Sequence, residues 1–206
     1  MWKRFLFIGL WLMAAAAWAK PAPKILVMGD SLSAAYGIET AQGWVALLGR
    51  RLASEGYDYR VVNASVSGDT TAQGLTRLPL ELERHHPAIV ILELGANDGL
   101  RGLSLNAMRQ NLAQMIVLSR KAGAQVLLVG IYLPPNYGPE YTHKFAAVYP
   151  RLAHRYRLPL VPFLLAGVAE HRNWMQADGL HPLASAEPRV LENVWSELAP
   201  LLARRR

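Results

Sequence analysis

Ile25-Leu26-Val27-Met28-Gly29-Asp30-Ser31-Leu32-Ser33 joins an unbroken aliphatic run to a short polar turn. Four apolar residues in a row, bounded by glycine and aspartate, fit a strand covered on both faces. Similar β-branched or aliphatic runs return at 59–63, 89–94, 126–131 and 160–163, each ending near Gly, Asn, Asp or Pro. Between them, apolar residues fall at helical spacing: Trp44, Leu47, Leu48 and Leu52; then Leu75, Leu78 and Leu82; then Leu105, Met108, Leu112 and Met115. Gly56 is a stop for the first of these. A further helix is expected over 141–156 with a break at Pro150, and a closing one over 188–202. This alternation predicts an α/β fold, a three-layer α/β/α sandwich around a five-stranded parallel sheet. Sites in such sheets gather beyond the carboxyl ends of the strands, so the chemistry should follow the apolar runs.

The 206 residues suit a leader plus one domain. Residues 1–19 read as a signal peptide: Lys3 and Arg4 precede an uncharged apolar run over 5–17, and Ala17-Trp18-Ala19 offers a cleavage site. A spanning helix needs about 20 apolar residues, and Lys20, Pro21, Pro23 and Lys24 end this run early. The domain is then 20–206, and a periplasmic or secreted location is expected. The absence of cysteine removes a disulfide framework, a thiolate metal site and a thiol nucleophile together. Loss of Lys3 and Arg4 lowers the formal charge from +7 to +5. Much of that is the terminal Arg204-Arg205-Arg206, and no basic stripe with interleaved aromatics marks a nucleic-acid partner. Weak attraction to an anionic membrane surface is the one lipid contact the charge suggests.

Ser31 falls at the sheet's active edge. Alone, it reads more readily as a capping serine than as a nucleophile. Gly68, in Asn63-Ala64-Ser65-Val66-Ser67-Gly68-Asp69-Thr70, is either a turn glycine or one whose N–H approaches a ligand. Asn97, in Glu93-Leu94-Gly95-Ala96-Asn97-Asp98-Gly99, is a turn residue or an amide donor. Asp178-Gly179-Leu180-His181-Pro182 can set a carboxylate beside an imidazole, the base a serine hydroxyl needs. Standing alone, that pairing is equally an incidental loop contact.

Taken in this order, each of the first three following a strand, the four blocks resemble the GDSL/SGNH hydrolase family, whose Ser, Gly, Asn and His match Ser31, Gly68, Asn97 and His181. The resemblance spans nearly the whole of 20–206 and is closest to the family's periplasmic thioesterase, lysophospholipase and arylesterase subgroup. Leu133-Pro134-Pro135-Asn136-Tyr137-Gly138 and Asn97-Asp98-Gly99-Leu100-Arg101-Gly102 are similar to that subgroup in particular. The sequence departs from the pattern at Gly95-Ala96-Asn97-Asp98, where two glycines are expected. A methyl there could crowd the oxyanion pocket or meet a backbone angle it dislikes.

The resemblance implies a flavodoxin-like sandwich with Ser31 as nucleophile, His181 as base and Asp178 as its orienting carboxylate. The Ser31 and Gly68 amides and the Asn97 side chain would form the oxyanion hole, with no cofactor or metal. Leu75, Leu78, Leu133 and Pro134 are candidates for the acyl pocket, although Leu75 and Leu78 equally fit plain helix packing. Acyl esters and thioesters are the expected substrates, and a monomer or weak homo-oligomer the expected state. Alternatives are a carbohydrate or cell-wall O-acetyl esterase on the same scaffold, or a non-catalytic binding protein. His85 and His86 suit a helix end; His143, His154 and His171 read as surface residues. Asp30 and Asp98 read as turn and supporting groups.

Overall fold

The five apolar runs form one parallel sheet. Its strands are β1 (Lys24–Gly29), β2 (Arg60–Asn63), β3 (Ile89–Glu93), β4 (Gln125–Val129) and β5 (Leu160–Val161), in the order β2-β1-β3-β4-β5. The computed structural model describes residues 21–203. The leader expected over 1–19 and the terminal arginines lie outside the described residues. Helices α1 (Trp44–Ser54), α2 (Thr71–His85), α3 (Ala96–Leu100), α4 (Leu105–Lys121), α5 (Pro139–Ala146), α6 (Val148–Tyr156) and α7 (Glu187–Leu198) fill the connections.

The central strands are apolar throughout because both faces are covered. Successive side chains point to opposite faces. Ile25, Val27, Ile89 and Ile91 therefore pack with Trp44 and Leu48 of α1 and with Val194 and Leu198 of α7. Leu26, Met28, Val90 and Leu92 pack with Leu78 of α2, Met115 of α4 and Tyr149 of α6. The predicted three-layer sandwich is the observed one.

Differences from the predicted elements have local causes. β5 stops at Val161 instead of reaching 163, because Pro162 has no N–H to continue the ladder. The helix expected over 141–156 is two helices that meet at Ala147, not at Pro150. Pro150 falls in the first turn of α6, where a missing N–H costs nothing. The closing helix tightens at its end into a 3₁₀ turn, Ala199–Leu201.

Strand order places the site. From β1 the chain crosses through α1 to β2 on one side, then returns through α2 to β3 on the other. Such a reversal opens a crevice between the carboxyl ends of the two strands it separates. The register pairs Gly29 with Glu93. The turn carrying Ser31 and the turn carrying Asn97 thus leave the sheet side by side.

Candidate active site

Beyond Gly29 the chain makes a tight turn in which the Ala34 amide donates to the Asp30 carbonyl at 2.9 Å. This holds Ser31 half-buried at the crevice mouth. Ser31 Oγ lies 2.8 Å from His181 Nε2, and His181 Nδ1 lies 2.7 Å from Asp178 Oδ2. Asp178 Oδ1 also accepts the amides of Leu180 at 2.9 Å and His181 at 3.1 Å, so a short turn folds the carboxylate onto its own imidazole. Partial burial works to raise the Asp178 pKa. The Leu180 amide, the imidazole and the His181 amide outweigh it and hold the carboxyl below its usual value. A carboxylate on Nδ1 fixes the ring proton there and leaves Nε2 to accept the Ser31 hydroxyl proton.

Gln176 ties the histidine loop to the serine turn. Its Nε2 donates to the Tyr36 carbonyl at 2.8 Å and the Pro182 carbonyl at 3.0 Å, while its amide donates to the His181 carbonyl at 2.8 Å. The Tyr36 ring lies 4.6 Å from the imidazole.

Gly68 follows β2 and Asn97 follows β3, and the Asp69 carbonyl next to Gly68 joins the two turns through the Asn97 amide. Gly68 adopts φ +86°, a conformation that side chains disfavour, and its carbonyl accepts from the Arg101 guanidinium at 2.8 Å. Next to it, Asp69 pairs with Arg77 at 2.6 Å, and Thr70 caps α2 reciprocally with Gln73. Asn97, in the first turn of α3, donates from Nδ2 to the Asp69 carbonyl at 3.0 Å and to Asp30 Oδ2 at 3.3 Å.

Buried acids lie beneath these groups. Asp30 and Glu93 are both wholly inaccessible. Burial, with smaller contributions from the charges of Asp69 and Asp98, pushes the Asp30 pKa up to about 7. Burial and the neighbouring Asp30 charge push Glu93 well above the carboxylate range. Glu93 Oε2 accepts from the Ser33 hydroxyl at 2.6 Å, whereas Oε1 has no partner among the described residues. A neutral acid is the form that such a site tolerates. Asp98 accepts the Thr71 amide at 2.8 Å and its hydroxyl at 2.6 Å.

A cleft of about 160 Å³ opens from Ser31, Asn97 and His181 between apolar walls that include Ala96, Leu100, Ile131, Leu133, Pro134 and Leu165. Beyond Leu133 and Pro134 it adjoins a recess of about 290 Å³, where Tyr132 stacks on Phe163 at 4.4 Å. Leu133 and Pro134 border this cleft. Leu75 and Leu78 do not: Leu78 is wholly buried in the core under α2, and Leu75 packs against the same cluster.

Residues 27–186 match the profile of the GDSL-like lipase/acylhydrolase family. The chain belongs to that family. By that family's description it is an acyl hydrolase. Esterase TesA of Pseudomonas aeruginosa is 59% identical over 88% of this chain and 90% of its own length. Thioesterase 1/protease 1/lysophospholipase L1 of Escherichia coli K12 is 43% identical over 96% of this chain and 92% of its own. A crystal structure of TesA superposes with a TM-score of 0.85, covering 87% of this chain and 99% of that one.

Several residues of this family member's site escaped the sequence reading. Arg101 lies within one of the matching blocks, but its grip on Gly68 depends on two loops meeting. Tyr36 and Tyr132 lie in irregular segments where no periodicity marks a face. Gln176 is two residues from Asp178, a proximity that could have flagged it.

Proposed function

We propose that this chain hydrolyses acyl esters and thioesters through an acyl-enzyme on Ser31, with His181 as base and Asp178 as its orienting carboxylate. The hydrogen-bonded chain from Ser31 Oγ through His181 to Asp178, set at the mouth of an apolar cleft, carries this reading. His181 Nε2 takes the hydroxyl proton as Oγ attacks the acyl carbonyl, and Asp178 stabilises the imidazolium that forms. The tetrahedral oxyanion is held by the Ser31 and Gly68 amides and by Asn97 Nδ2, which turns to it the N–H that rests on the longer contact to Asp30, 3.3 Å. When the intermediate collapses, the imidazolium gives its proton to the departing alcohol or thiol. Water, deprotonated by His181, then attacks the acyl-enzyme and releases the acid and free Ser31.

The lining of the cleft supports an acyl chain over a sugar, since away from Ser31, Asn97 and His181 its walls are aliphatic side chains with Pro134 and one aromatic ring, Tyr132. Leu133 and Pro134 are the acyl-contacting residues kept from the sequence reading. Leu100, Ile131 and Leu165 join them. The basic start, the apolar run and Ala17-Trp18-Ala19 support removal of residues 1–19 and a periplasmic or secreted enzyme beginning at Lys20.

Ser31→Ala is the test. The variant should keep the wild-type melting temperature and lose about 10⁴-fold or more of kcat/KM on p-nitrophenyl butyrate and on acyl-CoA. Undiminished activity in the folded variant would overturn the assignment.

A further inference from the structure

The triad leaves Asp30 without a task, yet this carboxylate is among the most buried groups in the protein. A simple turn-forming residue would not need such burial, because an exposed Asn or Ser makes the same local turn at less cost. The contacts of Asp30 run in three directions. Oδ1 accepts the Leu32 amide at 3.1 Å, the Asp30 amide lies 3.4 Å from Glu93 Oε2, and Oδ2 faces Asn97 Nδ2 at 3.3 Å. The first fixes the carboxylate, the second holds the backbone that carries it, and the third is where the side chain acts.

A primary amide has two ends of almost equal shape and opposite hydrogen-bonding character. Which end faces a given point is decided by its neighbours. Asn97 Nδ2 meets two acceptors, the Asp69 carbonyl at 3.0 Å and Asp30 Oδ2. With the amide reversed, its oxygen would confront both of them. The Asp69 carbonyl belongs to the Gly68 loop, whereas Asp30 precedes Ser31 directly. Asp30 therefore refers the amide to the nucleophile's own turn.

We infer that Asp30 is a positioning residue whose buried carboxylate holds the resting amide of Asn97 nitrogen-first, on a 3.3 Å contact long enough to yield its N–H to the oxyanion when that charge forms. This rests on Asn97 donating to that oxyanion. Asp30 touches no substrate and acts through Asn97 alone. Asp30→Asn keeps the shape but can turn a second donor toward Asn97 Nδ2, so the Asn97 amide is free to reverse.

The test is a double-mutant cycle on p-nitrophenyl butyrate, with the melting temperature measured for each variant. Asn97→Ala should lose about 10²–10³ in kcat, as removal of an oxyanion donor does. Asp30→Asn should lose about tenfold in kcat with KM within about twofold. The double variant should match Asn97→Ala within about threefold, because two groups acting as one unit are not additive. An equal Asp30→Asn loss in both backgrounds would overturn the inference while the Asn97→Ala loss left the donor reading standing. Unchanged kcat in Asn97→Ala would overturn the donor reading and the inference with it. Should Asp30→Asn not fold, Asp30→Ser, which keeps an acceptor for the Leu32 amide, enters the same cycle.

Discussion

At Gly95 the backbone passes through φ +126°, and a methyl group there would run into the Tyr149 hydroxyl and the Met108 side chain. One residue on, Ala96 opens α3 without a left-handed backbone, and its side chain lines the cleft. The conformational demand of this turn thus falls on Gly95, and the departure at Ala96 adds a methyl to the acyl wall without strain. Gly95→Ala should destabilise by about 2–4 kcal/mol through backbone strain and overpacking. Ala96→Gly should change kcat by less than about threefold. Thermal melts and esterase kinetics on both variants check this, and a melt unchanged in Gly95→Ala would contradict it. Legibility at this scale followed contact range. Asp178 and His181 meet across three residues, and the blocks around Ser31, Gly68 and Asn97 carry their own turns, yet each block alone reads as an ordinary turn, and only their joint resemblance to the family singled out the five. Leu75 and Leu78 could not be placed, because periodicity identifies an apolar face without saying whether core or cleft covers it.

Between elements, one contact joins the starts of α1 and α7. Gly43 precedes α1 and offers no side chain to cap it; instead the Trp44 amide donates to Glu187 Oε2 at 2.7 Å from the first residue of α7. Glu187 is almost wholly inaccessible, and burial pushes its pKa up to about 7 despite the Trp44 hydrogen bond. An acid whose pKa is raised on folding holds a proton that the unfolded chain has released. Stability from this group is therefore fully present below the unfolded value, about 4.3. It is lost as pH rises toward 7. Glu187→Gln keeps an acceptor for the Trp44 amide and removes the ionisation. It should stabilise by about 3–4 kcal/mol at pH 8.5 and by almost nothing at pH 4. Melting temperatures of the two proteins at both pH values decide it, and equal shifts would refute the account. The sequence placed both helices but not this link, since Glu187 and Trp44 are brought together only when α1 and α7 cover the same face of the sheet.

On the scale of the molecule, β1, β3 and β4 each contribute to two cores at once. The apolar runs made those strands readable, and their alternation with helices made the sandwich readable. Strand order was not readable from the runs themselves, because a continuous apolar run looks the same beside either neighbour; only the flavodoxin-like resemblance implied the order β2-β1-β3-β4-β5. That order has an energetic consequence. Ile25 and Leu26 are adjacent in β1 and both wholly buried, yet Ile25 packs toward α1 and α7 and Leu26 toward α2, α4 and α6. If the sheet couples the two cores, damage to either should appear in both. Ile25→Ala and Leu26→Ala should each cost about 2–5 kcal/mol. At about 2–4 °C per kcal/mol for a domain of this size, each should lower the melting temperature by roughly 5–15 °C. The tryptophans allow a one-sided readout, since Trp44, Trp174 and Trp195 all belong to the α1/α7 side. In the protein processed at Lys20, indole fluorescence therefore reports one core, while loss of esterase activity reports the crevice at the end of the sheet. Leu26→Ala, on the side without tryptophan, should still move the fluorescence midpoint as far as the activity midpoint, in a single transition. Activity lost well below the fluorescence transition would mean that the two cores melt separately, and the sheet would then not be the coupling element.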